Sequence, residues 1–175
     1  MSYFSAGNTT ATSLVQYADN TGNLIFATGG ANATAFTVDL NQVIAFNGPI
    51  EEKVTISSAN ATANVNFDAV TQGVLYYTSN ATANTTINIR GTSAIPLNNT
   101  ISTGQSISTV FLNTQGATAY YVNGYQVDGA AVTPKWQGVT APSSGNANSV
   151  DIYVFTVIKT ANATFTVLGS QTQFK

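Results

Sequence analysis

Apolar residues recur at every second position along most of this chain. Val54 and Ile56 show this spacing, as do Val65 and Phe67, and it continues through residues 150–160. Because successive side chains of a strand point to opposite faces, the alternation predicts strands and not helices. Runs rich in Val, Ile, Tyr, Phe and Thr end at Gly, Asn and Ser, which are typical of turns. The sequence therefore predicts an all-β protein.

The predicted strands pair mainly with their neighbours in sequence, as in an antiparallel β-sandwich of the jelly-roll kind. Residues 160–162 separate the last two strands and predict a hairpin. Asn123 and Gly124 predict a second one, because both central residues of a type I′ turn need a positive φ. The predicted strands cover residues 24–28, 35–39, 42–46, 52–57, 64–69, 73–78, 85–91, 106–113, 119–122, 125–128, 132–136, 150–160 and 163–170.

The five residues NATAN occur at 60–64 and again at 80–84, twenty residues apart. Twenty residues suit one up-and-down cycle of a meander with about five or six residues in each strand. We therefore expect both copies at hairpin ends on the same side of a sheet. A solenoid is the alternative, although such folds need three or more repeats. The N-x-[ST] motifs in these segments are expected by chance in a chain dense in Asn and Thr.

A change in composition near Asn47, Gly48 and Pro49 predicts a boundary between two parts of the chain. Residues 1–50 have only short strands, which are too few to enclose a core of their own. Residues 51–175 contain the longer strands and form the predicted sandwich domain. The N-terminal part is therefore predicted to be an arm that needs a partner, either the sandwich or other copies of the chain.

Charge is scarce in this sequence. Charged residues make up 7% of the 175 residues, whereas a globular chain typically has about 25%. Hydrophobic residues make up 43%, with 8 Tyr, 9 Phe and 1 Trp, which is enough for a packed core. The five basic residues are scattered, so we expect no nucleic-acid partner. A surface so poor in charge suits a protein that becomes part of an assembly.

The sequence shows neither a targeting or membrane-spanning segment nor the residues on which most catalytic and metal sites depend. The first residues, MSYFSAGNTTATS, lack the basic and apolar regions of a secretory signal, and no apolar run is long enough for a membrane span. The sequence contains no Cys and no His, which removes the commonest metal ligands and the commonest general base. Its seven acidic residues stand in no catalytic or calcium-binding frame. We expect no enzyme activity, no cofactor and no metal.

Aromatic residues are the remaining candidates for recognition. Tyr121, Tyr125 and Trp136 lie in or next to predicted strands. Exposed on a sheet with little charge, they could stack on sugar rings or pack against a protein. The alternative is that Trp136 and one Tyr of each Tyr-Tyr pair belong to the core.

The C-terminal third has an order of features that resembles a known family. A hairpin Asn-Gly is followed by KWQG, by PSSGN, by the strand DIYVFTVIKT and by ATFTVLGS. This order is similar to the C-terminal part of virion structural and tail-fibre proteins of tailed bacteriophages, notably marine and cyanobacterial phages. The N-terminal TGNLIFATGG and AFTVDLNQVIAFNG resemble stalk repeats of phage fibres. The matches cover about half of the chain.

The resemblance implies a non-enzymatic homotrimer in the virion, with an N-terminal docking arm and an outward β-sandwich. The short length of this chain favours, as one alternative, a capsid decoration protein, and exposed aromatic residues would suit, as another, a module that binds host glycan. Expected partners are other copies of the chain, other virion proteins and, in that last case, a host surface glycan. The residues expected to be buried between subunits or against the virion are Leu24, Phe26, Phe36, Val38, Val43, Ile44 and Phe46.

Overall fold

The computed structural model describes residues 23–28 and 33–175. These residues form β-strands and one short 3₁₀ turn, Leu97–Asn99, without any α-helix. The all-β class predicted from the alternation is therefore confirmed. The chain divides into two compact units, Met1–Glu51 and Glu52–Lys175. The two units are described separately below.

The first unit contains a three-stranded antiparallel sheet in the order β1-β2-β3. Its strands are β1 (Leu24–Thr28), β2 (Ala33–Val38) and β3 (Ile44–Phe46). The turn between β2 and β3 is fixed by Asp39, whose Oδ1 accepts hydrogen bonds from the backbone N–H groups of Asn41 and Val43 at 2.8 and 2.9 Å. Gln42 has a φ of 64°, which is not an extended conformation. The strand β3 therefore starts at Ile44 and not, as the alternation predicts, at residue 42.

The second unit contains two further sheets. The six-stranded sheet has the order β11-β13-β12-β8-β6-β4, and the four-stranded sheet has the order β10-β9-β7-β5. The strands of this unit are β4 (Val54–Asn60), β5 (Asn64–Asp68), β6 (Val74–Ser79), β7 (Thr85–Arg90), β8 (Ser106–Thr114), β9 (Val122–Val127), β10 (Ala130–Ala131), β11 (Lys135–Trp136), β12 (Val150–Ala161) and β13 (Thr164–Phe174).

The two sheets share one hydrophobic core, which confirms the sandwich arrangement. Phe67 and Ile87 of the four-stranded sheet are almost completely buried. They belong to the same buried cluster as Phe111, Tyr153 and Phe155 of the six-stranded sheet. Each of these strands alternates between buried and more exposed positions, as the period-two pattern requires.

In the segment that runs from β4 to β9, the strands do not pair as in the predicted meander. Consecutive strands lie in opposite sheets, and within each sheet β4, β6 and β8, or β5, β7 and β9, are parallel neighbours. The chain therefore winds in coils around the shared core, as in a solenoid. The meander prediction was wrong because alternation defines which side chains face inward but not which strand is the neighbour.

The NATAN segments are the corners of two successive coils. Residues 60–64 lead from β4 to β5, and residues 80–84 lead from β6 to β7. Val54 pairs with Val74, so the twenty-residue spacing is one turn of the coil. The corners stack directly, since Asn60 Nδ2 donates to the carbonyl oxygen of Asn80 at 2.6 Å. Both copies thus lie on the same side, but at turns between sheets and not at hairpin ends.

The two hairpin predictions had different outcomes. The hairpin of β12 and β13 is confirmed, with Val157 opposite Val167. The prediction of a type I′ turn at Asn123 and Gly124 was wrong, because both residues lie inside β9. The turn falls instead at Asp128 and Gly129, which have φ values of 52° and 80° and connect β9 to β10.

Candidate interaction surface

The three phenylalanines of the N-terminal sheet form a ladder across its strands. Phe26 lies opposite Phe36, and Phe36 lies opposite Phe46. The rings of Phe26 and Phe36 are stacked, with centroids 4.3 Å apart and planes inclined by 15°. Those of Phe36 and Phe46 are 5.8 Å apart. Aromatic pairs at these distances stabilise a sheet beyond the area they bury.

A second row of apolar side chains runs beside this ladder. Leu24 lies opposite Val38, and Val38 lies opposite Ile44. Each of them is two residues from a phenylalanine on the same strand, so both rows are on one side of the sheet. We call this surface the N-terminal apolar face, and it consists of Leu24, Phe26, Phe36, Val38, Ile44 and Phe46.

The N-terminal apolar face is open to solvent. Ile44 and Phe46 are 54% and 53% exposed, and Leu24 is 43% exposed. Apolar side chains that are contiguous and exposed mark interaction surfaces in soluble proteins. Of the seven residues predicted to be buried at an interface, the sheet brings six together on this face. Val43 lies just before β3, outside the two rows, and is 57% exposed.

Tyr125 and Trp136 lie at the edge of the core and not on an open surface. Their rings are 5.2 Å apart, and they approach Phe155 to 5.9 and 6.1 Å. Trp136 pairs with Gly169, where a Cβ would come within 2.9 Å of the indole ring. The missing side chain of Gly169 leaves room for the indole against the core, and both aromatic side chains are partly buried there. Their role as exposed contacts stays a prediction.

The phenol groups near this aromatic cluster are held in the neutral form. The Tyr125 hydroxyl donates to the carbonyl oxygen of Val122, and burial raises the pKa of Tyr125 to about 12. Burial also raises the pKa of Tyr153, whose hydroxyl oxygen accepts a hydrogen bond from the Val122 N–H at 3.2 Å. Tyr121 is half-buried, and its backbone N–H donates to Asn84 Oδ1 at 3.1 Å.

The acidic side chains of the sandwich hold loops in place. Asp128 accepts from the backbone N–H groups of Leu97 and Asn98 at 2.6 and 2.9 Å. The fully buried Asp151 accepts from the backbone and side-chain nitrogens of Asn146 at 3.0 and 2.6 Å. Asp68 is 2.5 Å from Nε of Arg90. In the described part of the chain, no three acidic side chains cluster in a way that could hold a metal ion.

A second apolar surface, which the sequence pattern did not predict, covers the outer side of the six-stranded sheet. Two cross-strand rows run over β4, β6, β8 and β12. In β6 and in the centre of β12 the inward positions are apolar as well, so these strands contain continuous apolar runs such as VLYY and IYVF, typical of sheets covered on both sides. We call this surface the large-sheet apolar face, and its rows are Val54, Val74, Val110 and Val154, and Ile56, Tyr76, Leu112 and Ile152.

The outer side of the four-stranded sheet has the opposite character. Asn66, Asn88 and Gln126 form a row across β5, β7 and β9. Asn88 Nδ2 donates to Asn66 Oδ1 at 2.9 Å, and the next row contains the Asp68–Arg90 ion pair. The sandwich therefore has one polar outer side and one apolar outer side.

Among residues 23–28 and 33–175, no helix is long and apolar enough to cross a membrane. No family model, no curated protein and no solved structure matches this chain.

Proposed function

We propose that this protein is a non-enzymatic structural protein of a tailed-phage virion. It is a homotrimeric short fibre or appendage, anchored by the N-terminal unit and displaying the β-sandwich. A capsid decoration protein is the related alternative, with the same anchoring surface. The observation that carries the proposal is the N-terminal apolar face, six apolar side chains on one side of a three-stranded sheet.

Burial of the N-terminal apolar face supplies the energy for anchoring. Fully covering a Leu, Ile, Val or Phe side chain contributes about 1.5–3 kcal/mol. Ile44, Phe46 and Leu24 have roughly half of their surface still to bury. Three such sheets around a threefold axis would enclose their phenylalanine ladders, and three is the stoichiometry that the resemblance to phage fibres implies. Several identical contacts then add to strong attachment without any chemical step.

Sedimentation of the purified full-length chain tests the trimer. The expected mass is a multiple of three chains, with a trimer near 55 kDa against 18.2 kDa for one chain. Phe46→Lys should abolish threefold association, because it places a charge in the apolar contact. Asn64→Lys adds the same charge to the exposed end of β5 and should leave the mass unchanged. A monomeric wild-type chain would contradict the proposed assembly.

Binding to separated phage heads and tails tests the place in the virion. We expect the wild-type chain to co-sediment with one of the two fractions and Phe46→Lys to remain in the supernatant. Binding to heads alone would favour the decoration protein, and binding to tails alone would favour the fibre. If neither fraction retains the wild-type chain, the virion role is wrong even where the trimer forms.

A further inference from the structure

We propose that the large-sheet apolar face is a second self-association surface, on which the six-stranded sheets of two copies stack face to face. The N-terminal apolar face belongs to another unit and another sheet. The inference therefore goes beyond the proposed anchoring and does not depend on it.

The chemistry of the face fits a partner that is itself uncharged. At the positions of β4, β6, β8, β12 and β13 that point away from the core, the side chains are Val, Ile, Leu, Tyr, Phe, Ser and Thr. Charged residues lie at the two margins of this surface: Lys135 of the edge strand β11 pairs with Leu168, and Glu52, two residues before Val54, lies beside Gly73. A second copy brings the same uncharged surface, so stacking desolvates no charge in the centre and creates no like-charge repulsion.

The distribution of residues also matches the anatomy of an interface. The two apolar rows lie over β4, β6, β8 and β12, and Ser108, Thr156, Ser170 and Thr172 continue the surface at its margin. Protein interfaces have an apolar centre and a polar rim of this kind. Ile56 and Val54 on the edge strand are 69% and 46% exposed, and the other six residues of the two rows are half-buried, so the face has surface left to bury.

The size of the sheet is sufficient for a stable pair. The five strands β4, β6, β8, β12 and β13, spaced by about 4.8 Å and with about nine residues of about 3.3 Å each, give a surface of roughly 24 by 30 Å. Two such surfaces bury on the order of 1,500 Å² together, within the range of stable protein interfaces. Sheets that stack in this way lie about 10 Å apart, with their strand directions about 30° from each other.

Two variants of the full-length chain test the face. Val110→Lys places a charge in the middle of the valine row, and Ile56→Lys places one at the exposed edge strand, where folding tolerates it most easily. Each should raise the concentration needed for pairing at least about tenfold, because the charges of two copies would meet in the contact. Asn64→Lys is the matched control on the opposite sheet, and circular dichroism verifies that every variant is folded.

Combining these variants with Phe46→Lys separates the two surfaces. Phe46→Lys alone should leave dimers of about 36 kDa, twice the 18.2 kDa of one chain. Ile56→Lys alone should leave the trimer of about 55 kDa, three times 18.2 kDa, and the double variant should be a monomer. If the Phe46→Lys variant is a monomer, the large-sheet apolar face does not self-associate and the proposed stacking is wrong. If Ile56→Lys reduces the wild type directly from dimer to monomer, the face is supported and the trimer is wrong.

Discussion

At Gly124 the absence of a side chain is a requirement of packing between neighbouring strands. A Cβ at this position would overlap the hydroxyl oxygen and the Cβ of Thr86, its partner on β7. We expect Gly124→Ala to lower the free energy of unfolding by about 1–3 kcal/mol, the usual cost of overpacking. Urea denaturation measures this loss.

Thr86→Ala provides the matched control for Gly124. It removes the hydroxyl oxygen, which an added Cβ would meet first, and the methyl group, while the Thr86 Cβ stays. The Gly124→Ala/Thr86→Ala double variant should therefore lose less stability than the two single variants lose in sum. Additive losses would mean that the glycine serves a backbone conformation and not the close approach of the strands.

Gly124 also explains why the predicted type I′ turn at Asn123 and Gly124 was wrong. Asn-Gly and Asp-Gly are equally good signals for a type I′ turn. The chain contains both, at 123–124 and at 128–129, and only the second is a turn. Local propensity could not choose between them, because the role of Gly124 depends on Thr86, which is far away in sequence.

The buried tyrosines predict how stability depends on alkaline pH. Burial raises the pKa of Tyr125 from 10 to about 12, so the folded state retains its proton where the unfolded state has lost it. Stability from this group is fully present below pH 10 and decreases as the pH rises from about 10 to 12. We expect the melting temperature to fall over that range, and to fall less in Tyr125→Phe. An equal decrease in both proteins would exclude Tyr125 as the cause.

At the scale of elements, the NATAN corners hold successive coils together. Ala61 is completely buried and Ala81 is 4% exposed, whereas Ala63 points to solvent. Backbone N–H groups of the second coil donate to the carbonyl oxygens of Ala61 and Ala63, which stacks one corner on the other. Small residues at these corners therefore let the two coils approach.

A pair of leucine substitutions tests the corner packing. Ala61→Leu should lower the free energy of unfolding by about 1–3 kcal/mol or more, since the added atoms have no space between the coils. Ala63→Leu adds the same atoms to an exposed position and should change stability by less than about 0.5 kcal/mol. Similar losses at both positions would contradict the assigned corner geometry.

Sequence patterns predicted the strands far better than their partners. The alternation of Val65 and Phe67 correctly predicted a strand, since the side-chain period is the same in any sheet, and the structure buries both side chains in the core. A five-residue segment such as NATAN can close a hairpin within one sheet or connect two different sheets. Its sequence does not distinguish between the two. The coil became visible only when β4 was seen to pair with β6 and not with β5.

Of the two apolar faces, only the N-terminal one could be predicted, because its residues come from strands that are adjacent in the sequence. The N-terminal apolar face followed from short alternating strands that lack a core. The large-sheet apolar face was missed because Tyr76, Leu112 and Ile152 are far apart in sequence and become one row only through the register of three strands. Their continuous apolar runs were nevertheless the available signal.

The molecule as a whole distributes its stability unevenly between the two units. Among residues 23–28 and 33–175, the buried apolar side chains, from Ala61 to Val167, all belong to Glu52–Lys175. We therefore expect the chain without residues 1–51 to fold by itself, with a single cooperative transition and a melting temperature within about 5 °C of the sandwich transition in the full-length protein. Scanning calorimetry of both proteins measures this, with Asn64→Lys in each as a control for surface charge. An unfolded or non-cooperative truncated chain would show that the sandwich needs the N-terminal unit for its own stability, and the N-terminal sheet would then be part of one fold and not a separate anchor.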